Sequence, residues 1–208
     1  MNQTPLSKAT VFVVDDDQAM RNSLKWLIES VGVQVESFGS ADEFLAQYHP
    51  GRSGCLVLDV RMPGMSGLDL QEYLAEKGIH IPVVIITGHG DVPMAVRAMK
   101  SGAIDFIEKP FNDEALLDAI RRAIAFEEQQ RSYHSEYVQI QERLSHLTPR
   151  EHEVMQMVTE GKSNKEIANA LGVSAKTIEA HRARVMEKMQ AGSLAELVRM
   201  ALAANKGA

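Results

Sequence analysis

The first 110 residues switch repeatedly between two hydrophobic periods, and this alternation restricts the fold more than any other feature. Short β-branched runs, "TVFVV" (10–14), "VQVESF" (33–38), "CLVLD" (55–59), "PVVIIT" (82–87) and "AIDFI" (103–107), read as strands. Between them, "QAMRNSLKWLIESVG", "SADEFLAQY", "SGLDLQEYLAEKG" and "DVPMAVRAMKSG" repeat apolar residues at helical spacing, and most stop at glycine. Three of the strands are apolar nearly throughout, as a strand covered on both faces must be. Strand–helix alternation with buried strands implies a parallel sheet joined by right-handed crossovers. The expected fold is α/β, a doubly wound five-stranded parallel sheet, with a last helix from about Asn112 to Arg131.

Charge divides the chain in two. Residues 1–142 hold 12 Lys and Arg against 21 Asp and Glu, a balance of −9, whereas residues 143–208 hold 10 against 7, a balance of +3. An acidic part suits a metal ion and a basic part suits phosphates. Residues 127–146, "EEQQRSYHSEYVQIQERLSH", are polar with scattered apolar positions and read as a helical linker, separate from the fifth helix or continuous with it; Val138, Ile140 and Leu144 fit a short coiled contact, but a solvated helix fits the composition better. Beyond it no strand is expected. "LTPREHEVMQMVTEG" and "SNKEIANALG" each offer a capping box, Thr148 with Glu151 and Ser163 with Glu166. "VSAKTIEAHRARVMEKMQAG" supplies a longer helix and "SLAELVRMALAAN" a final amphipathic one, so a small all-α domain is expected to follow the sheet. The expected division is 1–127, a linker over 128–143, and 144–208.

The single Cys55 excludes an intramolecular disulfide and any cysteine-based zinc cluster. The N-terminus, "MNQTPLSKATVFVVDDD", has no basic region followed by a long apolar core. No apolar run approaches the roughly 20 residues of a membrane helix. The chain is expected in the cytoplasm, with no membrane partner.

Carboxylates end two of the apolar strands. "VFVVDDD" closes on Asp15, Asp16 and Asp17, and "LVLD" closes on Asp59; "VVIIT" ends on Thr87, and Lys109 follows the fifth strand. In doubly wound sheets ligands bind beyond these strand ends, near the point where strand order reverses. Asp17 also fits a plain N-cap of the first helix. Thr87 alone fits a turn residue, but the set together points to chemistry. Clustered carboxylates need a cation, and partly hydrated oxygen ligands suit Mg²⁺. A carboxylate attacks phosphorus to give an aspartyl phosphate when metal and Lys offset the charges and a hydroxyl donor meets a phosphoryl oxygen.

The ordered set "VVDDD…LVLDVRMPGMSGL…VVIITGHGD…DFIEKPF" resembles the receiver domain of bacterial two-component response regulators, over residues 10–127. The resemblance implies a flavodoxin-like sheet in which Asp59 accepts a phosphoryl group from a sensor histidine kinase. It implies that Asp15, Asp16, Asp59 and the backbone carbonyl of Arg61 hold Mg²⁺. Thr87 would turn toward the phosphoryl group, Phe106 would follow as the switch aromatic, Lys109 would pair with phosphate, and the Lys109–Pro110 peptide would be cis. Phe106 stands where many relatives carry Tyr, so burial alone must drive its readout. Arg61 and His89 flank the site. A haloacid-dehalogenase-type phosphatase uses similar groups but in another order: its nucleophile opens an early Asp-x-Asp motif, whereas here the acidic cluster comes first and Arg61 stands two residues after Asp59.

"SNKEIANALGVSAKTIEAHRARVMEKM" fits a helix-turn-helix through Gly172-Val173-Ser174, with Ile178, Val185 and Met189 on the core face. The stretch from "LTPREHEV" to "SLAELVRMAL" resembles the DNA-binding domain of the LuxR/NarL class, most closely of FixJ-type regulators. The partner it implies is double-stranded DNA. Lys176, Thr177, Glu179, Ala180, Arg182 and Ala183 would be the exposed positions of the reading helix, and Lys165 and Lys188 would meet phosphates. His181 would touch the DNA backbone or pack on the scaffold. In the FixJ type the phosphorylated receivers pair through the region here spanning Val92–Phe106, making Val96 and Lys100 candidates for a homodimer interface. A core Val96 and a solvated Lys100 fit the pattern equally. The combined expectation is a phosphorylation-controlled transcription factor rather than a turnover enzyme. The competing reading is a receiver whose helical module binds a partner protein.

Overall fold

The computed structural model describes residues 9–205. The absence of a targeting signal read from residues 1–8, and the outermost ends of the two expected domains, lie outside the described residues. The chain forms two compact units, divided between Gln130 and Arg131.

In the first unit the strands are β1 (Thr10–Val14), β2 (Gln34–Phe38), β3 (Gly54–Asp59), β4 (Val83–Thr87) and β5 (Asp105–Glu108). Their order is β2-β1-β3-β4-β5 and every pairing is parallel. Side chains on a strand point alternately to opposite faces, and the core follows this period. Phe12, Val14, Leu56, Leu58 and Ile85 fill one face, against Phe44 of α2 (Ala41–Gln47), Leu70 and Leu74 of α3 (Gly67–Glu76) and Ala98 of α4 (Val92–Lys100). Val11, Val13, Cys55, Val57, Val84 and Ile86 fill the other, against Leu24 and Ile28 of α1 (Gln18–Glu29) and Leu116 and Ile120 of α5 (Asp113–Ser145). The expected doubly wound sheet is therefore present. Gly54 opens β3 where no other residue fits: its φ is +145°, and a Cβ there would stand 1.8 Å from the Thr10 carbonyl oxygen. Cys55 is fully buried, and burial pushes its thiol up to about 12, so it has no thiolate chemistry at neutral pH.

The strand order reverses between β1 and β3, which puts the carboxyl ends of these two strands side by side. Val14 pairs with Leu58 in register, so the chain beyond each strand emerges at the same edge.

The second unit contains the last part of α5 and, among the described residues, α6 (Pro149–Thr159), α7 (Asn164–Leu171), α8 (Ala175–Met189) and α9 (Leu194–Asn205). Both capping boxes form, at Thr148/Glu151 and Ser163/Glu166. Gly172 ends α7 in the left-handed conformation at φ +65°, which glycine adopts without steric cost. The core gathers Val154, Ile167, Ile178, Val185, Met189 and Leu197, the helical face expected of 175–189 included. One expectation needs correcting. Residues 127–145 are helical and continue α5, but they are not solvated throughout: Ile140 is buried in this core and Leu144 packs against it. Burial of the Ile140 side chain gives this stretch the helical module as its scaffold.

Candidate phosphoacceptor site and nucleic-acid face

At the shared edge of β1 and β3 the structure assembles Asp15, Asp59 and Lys109. Both carboxylates are almost fully buried, at 1% and 5% exposure, and the Lys109 ammonium reaches both: Nζ stands 2.8 Å from Asp15 Oδ2 and 2.6 Å from Asp59 Oδ1. Lys109 is brought there by β5 and held by its own backbone N–H, which donates to the Thr87 carbonyl at 2.7 Å. The Lys109–Pro110 peptide is cis, as the resemblance implied.

Two buried carboxylates against one ammonium leave a net negative charge. Burial raises the Asp59 carboxyl above its ordinary range, and this outweighs the lowering by Lys109. Burial also pulls the Lys109 ammonium down, but the hydrogen bonds to Asp15 and Asp59 together keep it above its usual value. The remaining Asp59 oxygen, Oδ2, accepts from the Arg61 backbone N–H at 2.7 Å, and Asp15 Oδ1 accepts from Asp17 N at 2.8 Å. A divalent cation with hard oxygen preference would answer this excess charge, and Asp15, Asp59 and the Arg61 turn could supply oxygens to it. Asp16 is exposed at the rim, and no three His, Cys, Asp or Glu among the described residues converge on one closed metal cluster. Such an open set suits an ion that retains waters.

Thr87 ends β4, next to β3, and is fully buried. Its Oγ1 accepts from the His89 backbone N–H at 3.3 Å. The Phe106 ring, half-buried on β5, closes the same corner: a Cβ at Gly90 would lie 3.0 Å from Phe106 Cε1 and 3.4 Å from Thr87 Cγ2. Asp17 is the N-cap of α1, accepting from Ala19 N at 2.8 Å, and is not part of the cluster. Arg21 was not singled out from the sequence. Its guanidinium donates to the Asp15 carbonyl at 2.6 Å and to Gln18 Oε1, bracing the acidic turn from α1. The only sequence trace of that role is an Arg one helical turn after the acidic run.

On α4, Val96 and Lys100 are exposed and line a shallow apolar groove with Val92, Ala95 and Met99. Val96 is thus a surface residue rather than core.

In the helical unit, Lys165, Lys176, Thr177, Glu179, Ala180 and Ala183 are exposed, the last five on α8. Thr177 is also tied to the helix start, its Oγ1 lying 2.8 Å from Ser174 Oγ. Arg182 is partly buried and donates to Asn164 Oδ1 at 2.7 Å, linking α8 to α7. His181 is partly buried with Nδ1 sealed from solvent, which favours packing for that nitrogen. Lys188 differs from the phosphate contact expected of it. Its ammonium reaches Glu151 Oε2 at 2.6 Å and the His146 carbonyl at 3.1 Å, so a buried carboxylate engages it inside the module. Hydrogen bonds from Lys188 and from the Thr148 backbone hold Glu151 down to about 2.

No helix among the described residues is long and apolar enough to cross a membrane. Residues 11–121 match the family "Response regulator receiver domain", and residues 145–201 match "Bacterial regulatory proteins, luxR family". The chain is 50% identical over 194 residues to nodulation protein W of Bradyrhizobium diazoefficiens, covering 93% of this chain and 86% of that one. It is 48% identical to the transcriptional regulatory protein FixJ of Azorhizobium caulinodans, covering 93% and 92%. Among solved structures it is similar to the response regulator StyR, with TM-score 0.84 and 47% identity over 93% of this chain and 98% of that one. Full-length FixJ from B. japonicum matches with TM-score 0.59 and 45% identity, covering 96% and 98%. With both family models matched and relatives of this identity covered nearly end to end, the chain belongs to the response regulators of the FixJ type, two-component transcription regulators that join a receiver domain to a LuxR-family DNA-binding domain.

Proposed function

We propose that Asp59 is the phosphoacceptor of this regulator and that its phosphorylation controls DNA binding through receiver pairing. The observation that carries the reading is the buried Asp15–Lys109–Asp59 cluster at the strand-order reversal. An Asp59 carboxylate oxygen forms the new bond to phosphorus as the bond to a sensor kinase's histidine nitrogen breaks, and the imidazole leaves. Lys109, already at Asp59, pairs with the incoming phosphoryl oxygens. Asp15, Asp16, Asp59 and the Arg61 carbonyl would hold Mg²⁺, which would supply charge neutralisation. Thr87 turns its hydroxyl from the loop to the phosphoryl group, and the Phe106 ring, which packs beside Gly90 and Thr87, follows it. With no hydroxyl on Phe106, the switch is read through packing alone.

Pairing uses the α4 groove, with Val96 and Lys100 at its centre, and produces a homodimer. The paired chains present α8 to two half-sites of double-stranded DNA. Lys176, Glu179, Ala180 and Ala183 face the bases, Lys165 meets the phosphates, and Thr177, Arg182 and His181 fix the helix or touch the DNA backbone. Phosphate shifts a population between two receiver states, so it must bind the active one better. The protein works in the cytoplasm and turns over no substrate beyond its own phosphoryl group.

Intact mass after incubation with Mg²⁺ and a small phosphodonor tests the acceptor. One added phosphoryl group on the native chain and none on Asp59→Asn is the expected result. An adduct on both assigns the acceptor elsewhere and refutes the reading. DNA affinity that falls steeply with salt separates DNA binding from docking on a partner protein, because phosphate contacts release counterions.

A further inference from the structure

Helix α4 is gripped from α3 at two depths. Inside, Gln71 of α3 is 3% exposed, and its amide Nε2 donates to the carbonyls of Ala98 and Ser101, each at 3.1 Å. The Ala98 carbonyl, in the last turn of α4, also accepts from the Ala103 backbone N–H at 3.0 Å, and Ser101 is the residue that caps the helix, so the amide ties the end of α4 and its cap to α3. Two carbonyl acceptors fix the orientation of the amide, since a flipped amide would set oxygen against oxygen. The same amide's Oε1 is then buried with no hydrogen-bond partner. At the surface, Arg97 of α4 reaches back to α3, with Nε 2.7 Å from Glu72 Oε1 and a terminal nitrogen 2.9 Å from Asp69 Oδ1.

The other end of α3 rests on the phosphoacceptor strand. The Gly67 backbone N–H donates to the Val60 carbonyl at 3.0 Å, and a Cβ at Gly67 would stand 2.1 Å from the Asp59 carbonyl oxygen. One helix thus spans from the backbone of Asp59 to the final turn of α4, whose outer face carries Val92, Val96 and Met99.

An orphaned buried acceptor is a cost that an apolar side chain of similar length would not carry. Stability alone therefore does not account for an amide at position 71, and local misfits of this kind gather where a protein works. We propose that Gln71, with Arg97 as a weaker outer tie, is a restraint that holds α4 in its unphosphorylated arrangement, and that phosphorylation of Asp59 acts against this restraint through α3 to free the α4 face for pairing. The proposal rests on the reading of Asp59 as phosphoacceptor and of α4 as the pairing face. It adds a route through α3 to the one through Thr87 and Phe106. The missing partner of Oε1 keeps the restraint shallow enough to be overcome.

The test uses the full chain carrying Gln71→Met, which keeps the side-chain length and removes both the donor and the orphaned acceptor. With two hydrogen bonds lost, the unphosphorylated variant should self-associate about tenfold more tightly in sedimentation. The phosphorylated variant should associate as the native chain does, so the gain on phosphorylation shrinks by the same factor. Amide hydrogen exchange should quicken at residues 98–103 and stay unchanged in α1. Glu72→Gln, which leaves the core untouched, should shift association in the same direction by less. Unchanged exchange in α4, or an equal change of association with and without phosphate, overturns the restraint. A native chain that takes up phosphate yet stays monomeric refutes pairing instead. The restraint is then judged by α4 exchange alone: faster supports it and unchanged overturns it.

Discussion

Replacing Glu151 by Gln should destabilise the helical module and remove the share of its acid sensitivity that Glu151 carries. The Glu151 side chain is 4% exposed and accepts from the Lys188 ammonium at 2.6 Å and from the Thr148 backbone N–H at 2.9 Å. These bonds hold its carboxyl at about 2, against an ordinary 4.5. A displacement of that size amounts to about 3 kcal/mol. Lys188 is about one-third exposed, so water already offsets part of it, and about 2 kcal/mol is the expected loss at pH 7. For a domain of this size that lowers the melting temperature by roughly 10 °C. Because the folded value is depressed, the contribution is complete above the unfolded value near 4.5. It fades as pH falls from there toward 2. Urea unfolding of native chain and E151Q, followed by helical circular dichroism from pH 7 to pH 3, measures the gap. The gap should shrink as the acid limit is approached. A gap that stays constant over that range, or is already negligible at pH 7, refutes the assignment of Glu151 as a paired buried charge.

Gly67→Ala should cost about 2–3 kcal/mol and slow phosphoryl uptake, because the added methyl meets the Asp59 backbone rather than a side chain that could swing away; urea unfolding and adduct mass read the two effects. Val96→Glu should leave the phosphoryl adduct intact and weaken phosphorylation-dependent self-association at least about tenfold, since it buries a charge in the pairing groove. Sedimentation of the phosphorylated chain checks it. Lys176→Ala should weaken DNA binding; if Lys176 meets a phosphate, the salt slope of log affinity falls by about 1, whereas a base contact changes the sequence preference instead. Binding measured at several salt concentrations separates these results.

The carboxylate pocket was legible because each part stands at a strand end. Val14 and Leu58 close apolar runs that must be buried, so the residues after them are forced to the edge of the sheet, and Asp15 and Asp59 meet there whatever the details of packing. The same logic made Thr87 and Lys109 readable. It says less about Asp16, which stands exposed at the rim in the loop that follows β1. Lys188 was misread because a Lys on a polar helix looks like a phosphate contact until a buried Glu 37 residues away claims it.

By itself the sequence determined the alternation of strands and helices, the capping boxes, the turn glycines and the two-domain charge split, because these depend on period and on residues near one another in the chain. The burial of the helix across 127–146 was beyond it, since its polar residues read as solvated and only the tertiary structure seats Ile140 in a core. So was the grip of Gln71 on α4, which joins residues 27 and 30 positions apart and depends on which helices the sheet brings side by side. Contacts between distant segments are set by the register and twist of the sheet, and a side chain's partner there is decided by geometry that no local pattern records.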